Sequence, residues 1–482
     1  MMINLSTCNI RGLPAREIDY MHHLREVSLR HVGANAEKER YYAGKIQLSE
    51  VNIGIALPKN IRGLEVGCPW GAKAVDVLAA RSMFDGYVGG NGGSLGQLNE
   101  LVAGNRLVAE YMKACRDELK FGCTFATLSA DRELGCKIRF HSPVTAAAEW
   151  DGDKGRIAYG CAVIDTAIDS TNELTPSVIN LYTDDAIWVL RREARASDWT
   201  AERHPHRMGR PLMEPMIWNA TSGKPFGQSR LKEPVRRLMQ GYVRTIANAA
   251  IALEFSTAPQ KYILGVTDDQ YDKVTQSRFS AYVGSIFAAT TNPENGEKPT
   301  YGQLPQGSLS PHVEMLRILA AQFSAATGLS AADTGVINDA NPSSSDAILA
   351  QANYLVGLAE QLNAGNGDAL RNIALMAMAI AGRTMPDRLS DEQKSVVAHF
   401  KNPAMPSIAA TADAAIKIAS ARQGFASTDV FLEMVGFDQA DIRRTKAQEQ
   451  RARGSRLLEE IVGQVQRGQA EAGNPEISGT AS

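Results

Sequence analysis

The stretch LPQGSLSPHVEMLRILAAQFSAATGLSAADTGVINDANPSSSDAILAQANYLVGLAEQL, residues 304–362, decides the fold. It contains two helical segments on either side of a polar, glycine-rich insert. Pro311 predicts the start of the first helix, because a missing N–H costs nothing there. Gly328 predicts its end. The residues that recur at the spacing of one apolar helix face are Val313, Leu316, Ala320 and Phe323.

The second helix begins after the insert. Ser343 and Asp346 have the spacing of a capping box, with aspartate in place of the usual glutamate. Its predicted buried stripe is Ile348, Ala352, Leu355, Ala359 and Leu362. Residues 328–341 between the helices have no period of their own, and the residues leave two interpretations open. The insert is either a surface connection between antiparallel helices or a projecting loop that carries the protein's function.

Size and charge set the broad class. With 482 residues, 44% hydrophobic and 22% charged, the chain is an ordinary globular protein with a large core and more than one domain. The 51 basic and 53 acidic residues give a net charge of −2. This balance argues against a protein that grips nucleic acid tightly, whose domain would be basic. It is compatible with a protein past which DNA slides, because few phosphates are then neutralised.

The cysteines and apolar runs indicate a reduced compartment and no membrane. None of the six cysteines forms a CxxC pair, which predicts reduced thiols in a cytosolic chain: Cys8, Cys68, Cys115, Cys123, Cys136 and Cys161. Residues 1–11 lack the apolar core of a signal peptide. The longest apolar run, residues 373–381, is too short to span a bilayer.

The first half of the chain predicts an α+β body. A flexible loop is expected at residues 86–96, which lack the Gly-Lys-Ser/Thr of a phosphate-binding loop, and a long helix at 97–119. Alternating patterns predict strands at 136–140, 156–164, 178–183 and 186–191. His204-Pro205-His206 offers two metal ligands without a third partner nearby, so a surface turn is the preferred interpretation.

Residues 63–82, GLEVGCPWGAKAVDVLAARS, resemble the first motif of S-adenosylmethionine-dependent methyltransferases. Gly67 and Gly71 fall where that motif needs small residues for close approach to a cofactor. Against this, Pro69 and Trp70 occupy the middle of the turn, and no acidic residue ends a second strand about 20 residues later. The alternative is a turn that caps a helix at residues 72–81.

A further helix follows Pro234 in the segment PVRRLMQGYVRTIANAAIALEF and ends near Thr257. Its predicted apolar stripe is Val235, Leu238, Tyr242, Ile246, Ala249 and Leu253. Arg236, Arg237 and Arg244 lie on its polar side. They are either a solvated surface or residues that line a channel or contact another subunit.

The sequence of residues 304–360 resembles that of the portal (head–tail connector) proteins of tailed bacteriophages, of the siphophage type, over roughly forty positions. A Tyr41-Tyr42-x-Gly44 step and the helix from Pro234 to Ala258-Pro259-Gln260 extend the resemblance, which runs over residues 41–381. It is weakest in the β-rich body and after residue 400. The portal family also has a Trp-Pro-like step before a helix comparable to that of residues 72–81.

This resemblance implies an α+β, mainly helical portal fold with wing, stem, clip and crown, assembled as a ring of usually twelve copies. The implied parts are the wing or body (1–227), first stem helix (228–258), clip (259–308), second stem helix (309–327), tunnel loop (328–342), long wing helices (343–400), helical crown (401–467) and a disordered tail (468–482). Within these last parts, residues 386–408 are expected to be connective, Asp368 to cap a helix, and three helices to occupy 409–423, 427–435 and 439–466.

The resemblance also implies a function. The ring would sit at one vertex of the capsid, in the virion, after synthesis in the bacterial host cytoplasm. Double-stranded DNA would be packaged and ejected through its channel, without sequence specificity. Expected partners are the major capsid protein and scaffold, the terminase and the head–tail adaptor. No catalytic residue, cofactor, metal or membrane is expected.

The tunnel loop would project into the DNA channel. Val336 and Ile337 would form its apolar tip, and its polar rim would be Asp333, Asn338, Asp339 and Asn341. An acidic or neutral rim holds phosphate only weakly, which suits sliding. Three alternatives remain: the methyltransferase, a different helical phage structural protein such as a minor capsid or adaptor component, and a generic DNA-binding module.

Overall fold

The computed structural model describes residues 10–46, 66–89, 96–168, 172–193, 198–257, 261–264, 296, 298, 300–303, 307–330, 332–335, 345–404, 408–422 and 424–472. The helices are α1 (Ala15–Tyr42), α2 (Trp70–Ala79), α3 (Gly96–Gly104), α4 (Leu107–Phe121), α5 (Glu233–Thr257), α6 (Ser310–Thr327), α7 (Ser345–Ala381), α8 (Asp391–Lys394), α9 (Ile408–Ala421), α10 (Asp429–Val435) and α11 (Gln439–Ala472). The strands are β1 (Ile10–Arg11), β2 (Phe84–Val88), β3 (Cys123–Asp131), β4 (Gly135–His141), β5 (Ala146–Asp151), β6 (Arg156–Ile168), β7 (Leu174–Tyr182), β8 (Ala186–Arg191), β9 (Trp199–Pro205), β10 (Met213–Ile217), β11 (Lys261–Leu264), β12 (Thr300–Gln303) and β13 (Val397–Phe400). The fold is therefore a mixture of helices and strands in which helices are the larger part, as predicted.

A six-stranded sheet has the strand order β1-β9-β8-β7-β6-β5. All its pairs are antiparallel except β1 with β9. Leu181 of β7 and Leu190 of β8 point to one face, because alternate residues of a strand share a face. That face packs on Met21 and Leu24 of α1, which are buried with them in one cluster.

The larger core lies on the other side of this sheet. A second, three-stranded sheet has the order β10-β3-β4. It packs with α2, α4 and α7 around one continuous buried cluster. The second half of α7 is enclosed by that cluster, where Leu370, Ile373 and Ala377 have no measurable exposure.

The four predicted strands are confirmed as β4, β6, β7 and β8, although the third predicted strand ran one residue past the end of β7 at Tyr182. The prediction that residues 386–408 are only connective is wrong. Val397–Phe400 forms β13, which pairs antiparallel with β2. The predicted loop at 86–96 is consequently wrong at its start, since Gly86 and Tyr87 belong to β2. Nothing local signals a strand pair that is separated by about 300 residues.

Two helix predictions are corrected. The single helix at 97–119 is two helices, α3 and α4, broken at Arg106, whose φ of 51° is left-handed. The opposite correction applies to α7, which runs unbroken past Gly365, Gly367 and Asp368, so Asp368 caps no helix. Two glycines cost roughly 1 kcal/mol each in a helix. Burial of the surrounding residues in the main core outweighs this cost.

The apolar stripes of α5 and α6 are shifted from the predicted ones. In α5 the buried positions are Val235, Met239, Val243, Ala247 and Ile251. Leu253, which was expected in the stripe, is 49% exposed. In α6 the buried positions are Leu319, Ala320, Phe323 and Thr327, while Val313 is 46% exposed. Tertiary contacts, rather than the most apolar arc, set which face is covered.

The C-terminal helices lie close to their predicted positions. However, α11 continues to Ala472, so residues 468–472 belong to a helix and not to a disordered tail. The predicted capping box at Ser343 and residues 473–482 lie outside the described residues. The five described cysteines are free and buried, as predicted, and Cys8 lies outside the described part. None of the described helices is both long and apolar enough to cross a membrane.

Candidate functional site

Helices α5 and α6 form a pair that carries the residues singled out in the sequence. The two helices pack against each other, and the strands that follow α5 and precede α6, β11 and β12, are antiparallel to each other. The helices approach closely at Gly241, where an added Cβ would lie 3.1 Å from Leu319 Cδ2. A glycine there lets the leucine pack against the backbone of α5.

Trp70 fixes the base of this pair to the body. It begins α2 and is completely buried. Its ring lies 4.7 Å from the ring of Tyr242 on α5 and 4.7 Å from that of Phe323 on α6. Its indole Nε1 donates a hydrogen bond of 3.0 Å to the carbonyl of Thr334, just after α6. One side chain therefore contacts both helices and the segment that leaves them.

Arg230 makes a second connection at the same base. Its Nε donates to the Ala74 carbonyl of α2 at 2.5 Å, and its Nη2 donates to the Thr327 carbonyl at 2.5 Å. Thr327 is the last residue of α6, whose final carbonyls have no partner within the helix. Burial lowers the pKa of Arg230 to about 10, so the guanidinium stays charged at neutral pH. A cation at a helix C-terminus is favourable.

The chain leaves α6 through a turn of fixed shape. Gly328 has φ of +75°, and an added Cβ would lie 2.5 Å from the Tyr354 ring. Asp333 then folds back on Ser330, whose backbone N–H and hydroxyl both donate to its Oδ2, at 3.0 and 2.7 Å. The predicted rim residue Asp333 thus holds the base of the loop together. Val336, Ile337, Asn338, Asp339 and Asn341 lie outside the described residues.

The three arginines predicted for α5 have different surroundings. Arg236 is partly buried, pairs with Glu37 of α1 at 3.3 Å and lies over the Tyr41 ring at 5.8 Å. Arg237 is exposed and pairs with Glu233 of its own helix at 2.6 Å. Arg244 is exposed and has no ion pair within the described part of the chain. Arg236 therefore anchors α5 to the body, and Arg244 alone presents an uncompensated charge.

The outward face of α6 carries apolar side chains beside the ion pair of Glu314 with Arg317. Ile318 is 52% exposed and Met315 is 44% exposed, and Ala321 and Ala325 share this face. Within the described part of the chain, this face of α6 is left largely exposed.

The glycine turn that resembles the methyltransferase motif lies in close contact with the end of α1. An added Cβ at Gly71, inside α2, would lie 2.0 Å from the Tyr41 carbonyl oxygen. Gly67 forms an antiparallel bridge with Lys45. Gly71 therefore serves the contact between α2 and the end of α1, where Tyr41 is buried and Gly44 has φ of +71°. A Cβ added at Gly67 would meet no described atom within 4 Å, so packing explains only Gly71.

Two histidines were weighed as metal ligands. His204 belongs to β9 and His206 follows directly after it, so this segment is the end of a strand, and the predicted surface turn is wrong. Burial lowers the pKa of His206. In the part of the chain that the structure describes, no three His, Cys, Asp or Glu side chains are grouped so that they could hold a metal ion.

Comparison with known proteins shows what the chain is similar to. The resemblance to bacteriophage portal proteins, or head–tail connectors, is confirmed. The portal protein of Mycobacterium phage D29 is 25% identical over 427 residues, which cover 85% of this chain and 84% of that protein. The portal protein of Mycobacterium phage L5 is 26% identical over 388 residues, covering 77% and 76%. No protein-family model matches the chain.

Two solved structures are also similar. A chain from the neck of a native GTA particle, computed with C12 symmetry, is 13% identical with a TM-score of 0.43 and covers 81% of this chain and 93% of that one. A chain from the neck of an empty GTA particle, computed with C6 symmetry, is 12% identical with a TM-score of 0.45, covering 82% and 99%. Likenesses this distant carry no conclusion about the chain.

Proposed function

We propose that this chain is a phage portal protein that forms a ring at one capsid vertex, through which double-stranded DNA is packaged and ejected. The observation that carries the proposal is the similarity to two portal proteins over most of their length. It acts as a structural component of the virion rather than as an enzyme. Terminase, head–tail adaptor, major capsid protein and scaffold are its proposed partners, and the host cytoplasm is its place of synthesis.

Helices α5 and α6 are the proposed stem of the ring, and the segment from Gly328 to Asn341 is the proposed tunnel loop. The contacts of Trp70 and Arg230 support this assignment. Trp70 belongs to α2 and contacts both helices, and Arg230 connects the end of α6 to α2. A loop that contacts moving DNA needs a base that is held rigidly. Buried hydrogen bonds to backbone carbonyls supply such a base, since breaking them leaves unsatisfied groups.

The ring itself is proposed to assemble by burying the outward face of α6 against the neighbouring copy. Met315 and Ile318 are the apolar side chains that this contact would cover. Closed rings of identical subunits bury one face of each copy on a different face of the next. The wing, clip and crown boundaries implied by the resemblance remain part of this proposal.

Mass photometry with negative-stain imaging of the purified protein tests the proposal. Twelve chains of 52.1 kDa amount to about 625 kDa, and the particle should be a ring with a central hole. Adding scaffold and capsid protein covers the case in which the subunit needs them to assemble. A monomer or dimer that stays small under these conditions and binds S-adenosylmethionine would contradict the portal assignment.

The loop assignment has a separate test in a packaging assay. Asp339→Arg, or a shortened loop, should leave rings intact but impair packaging or retention of DNA, because a cation at the rim would hold phosphate. Asp153→Arg makes the same charge change in an exposed turn of the body and serves as the control. Normal packaging by both loop variants would defeat the tunnel-loop assignment.

A further inference from the structure

A cavity of about 740 Å³ lies on the face of the six-stranded sheet that α1 does not cover. Its floor is apolar. Ile187 and Val189 of β8 lie there with Val178 of β7, and Ile380 near the end of α7 also lines the cavity. A cavity of this volume is large enough for a small ligand or a few side chains of a peptide.

Arginines dominate the polar part of the lining. The cavity is lined by five of them, Arg139, Arg191, Arg207, Arg383 and Arg388. Among the described residues that line it there is neither an aspartate nor a glutamate, and none of the five has an ion pair in the described part of the chain. The whole chain has a net charge of −2, so this concentration of positive charge is local.

Attraction to the C-terminus of a helix accounts for only two of these five arginines. Arg383 and Arg388 follow α7, whose C-terminal carbonyls attract cations. Arg139 lies on β4 and Arg191 ends β8, so neither is near that helix end by sequence. Arg191, Arg207, Arg383 and Arg388 are exposed and Arg139 is half-buried, so their guanidinium groups are accessible to a ligand, and like charges around one cavity attract an anion.

We propose that this cavity binds an acidic peptide segment of a partner protein. Its carboxylates would meet the arginines, since guanidinium groups bind carboxylates with two parallel hydrogen bonds. An apolar side chain of the segment would cover the floor formed by Val178, Ile187 and Val189. A nucleic-acid backbone fits less well, because its phosphates would use the arginines and leave the apolar floor empty.

Fluorescence anisotropy on the full-length protein tests the proposal. The probe is a short fluorescein-labelled peptide of glutamates with two leucines. Arg139→Gln and Arg383→Gln should each weaken its binding about tenfold, the loss expected for one charge-assisted hydrogen bond. The control is Arg203→Gln, because Arg203 lies on β9 beside the cavity but its guanidinium lies 5.8 Å from the Trp188 ring on the opposite face. This variant should bind as the unaltered protein does.

Two further probes identify the ligand class. The same peptide with serines in place of both leucines should bind more weakly, because it leaves the floor uncovered. A single-stranded oligonucleotide of similar charge should not displace the leucine-containing peptide. Equal binding of both peptides, displacement by the oligonucleotide, or a peptide affinity unchanged in Arg139→Gln and Arg383→Gln would each overturn the proposal. Binding to the free subunit that is lost in the ring would also overturn it, since the cavity would then belong to a subunit contact.

Discussion

The rest of the fold covers two of the helices of this chain to different extents. The second half of α7 is enclosed by the two sheets and by α2 and α4, and Ile373 and Ala377 have no measurable exposure. Helix α6 buries Leu319 and Phe323, yet it leaves Ile318 52% exposed. One helix is therefore complete within a single subunit, whereas the other presents a surface that a neighbouring copy can cover.

The largest expected effect comes from removing the side chain that joins α6 to the body. Trp70→Ala should lower the free energy of unfolding of the subunit by about 3–5 kcal/mol, because it opens a cavity between Tyr242 and Phe323. Urea unfolding measures the change. Trp70→Phe is the control, since it keeps most of the packing and loses only the hydrogen bond to Thr334. If Trp70→Ala and Trp70→Phe lower the free energy of unfolding equally, the contacts of the Trp70 aromatic ring with Tyr242 and Phe323 do not hold α6.

The two faces of α6 can be compared directly at neighbouring positions. Leu319→Ala removes a buried side chain and should cost about 2–4 kcal/mol in subunit stability. Ile318→Ala should change subunit stability by less than about 0.5 kcal/mol, since this side chain is half exposed. It should instead reduce the fraction of rings seen by mass photometry. Loss of subunit stability from Ile318→Ala would mean that the outward face is already covered within one chain.

A buried carboxyl group lies next to α7, the enclosed helix of the two. Glu118 of α4 is fully buried, and its Oε2 accepts a hydrogen bond of 2.8 Å from Asn366 Nδ2. Burial raises the pKa of Glu118 to about 8. The folded protein therefore keeps the carboxyl group protonated where the unfolded chain ionises it. Neither Glu118 Oε1 nor Asn366 Oδ1 has a partner among the described residues.

This arrangement predicts how stability depends on pH. The raised pKa means that the unfolded chain releases its proton first, so the contribution of Glu118 to stability falls as the pH rises from about 4.5 to about 8. Glu118→Gln removes the titration and keeps an amide that can donate to Asn366. It should match the unaltered protein near pH 5 and exceed its unfolding free energy by at least about 2 kcal/mol near pH 9. Parallel pH profiles for the two proteins would show that the carboxyl group ionises freely.

Local patterns were sufficient to predict the elements that local chemistry controls. The alternation of β8 and the Pro311 and Gly328 ends of α6 were read correctly from neighbouring residues. The pairing of β13 with β2 was missed, because strand partners far apart in sequence leave no local signal. The continuity of α7 was missed for a related reason, since Asp368 was read as the cap of a new helix, whereas core contacts keep one helix through this point.

The candidate site shows the same limit. The arginines of α5 were found, but their roles were not, because Glu37 lies on a different helix about 200 residues earlier in the chain. Arg230 was missed altogether, and no feature of its neighbours distinguishes it from a surface arginine. Trp70 offered the one available signal, a tryptophan inside a glycine turn. In the sequence, this tryptophan served only as an argument against a cofactor site. In the structure, Trp70 contacts Phe323 of α6 and donates a hydrogen bond to Thr334.

The smallest effect expected separates an arginine that joins α5 to the body from one that faces solvent. Arg236→Gln should lower the free energy of unfolding by about 1 kcal/mol, because it removes a partly buried ion pair with Glu37 and a hydrogen bond to the Leu231 carbonyl. Arg237→Gln removes an exposed pair within one helix and should leave the urea midpoint unchanged. Equal midpoints for the two variants would remove the distinction between them. A lower midpoint for Arg236→Gln alone would assign Arg236 to the support of the helix pair, so that only Arg237 and Arg244 remain candidates for contact with DNA or a neighbouring subunit.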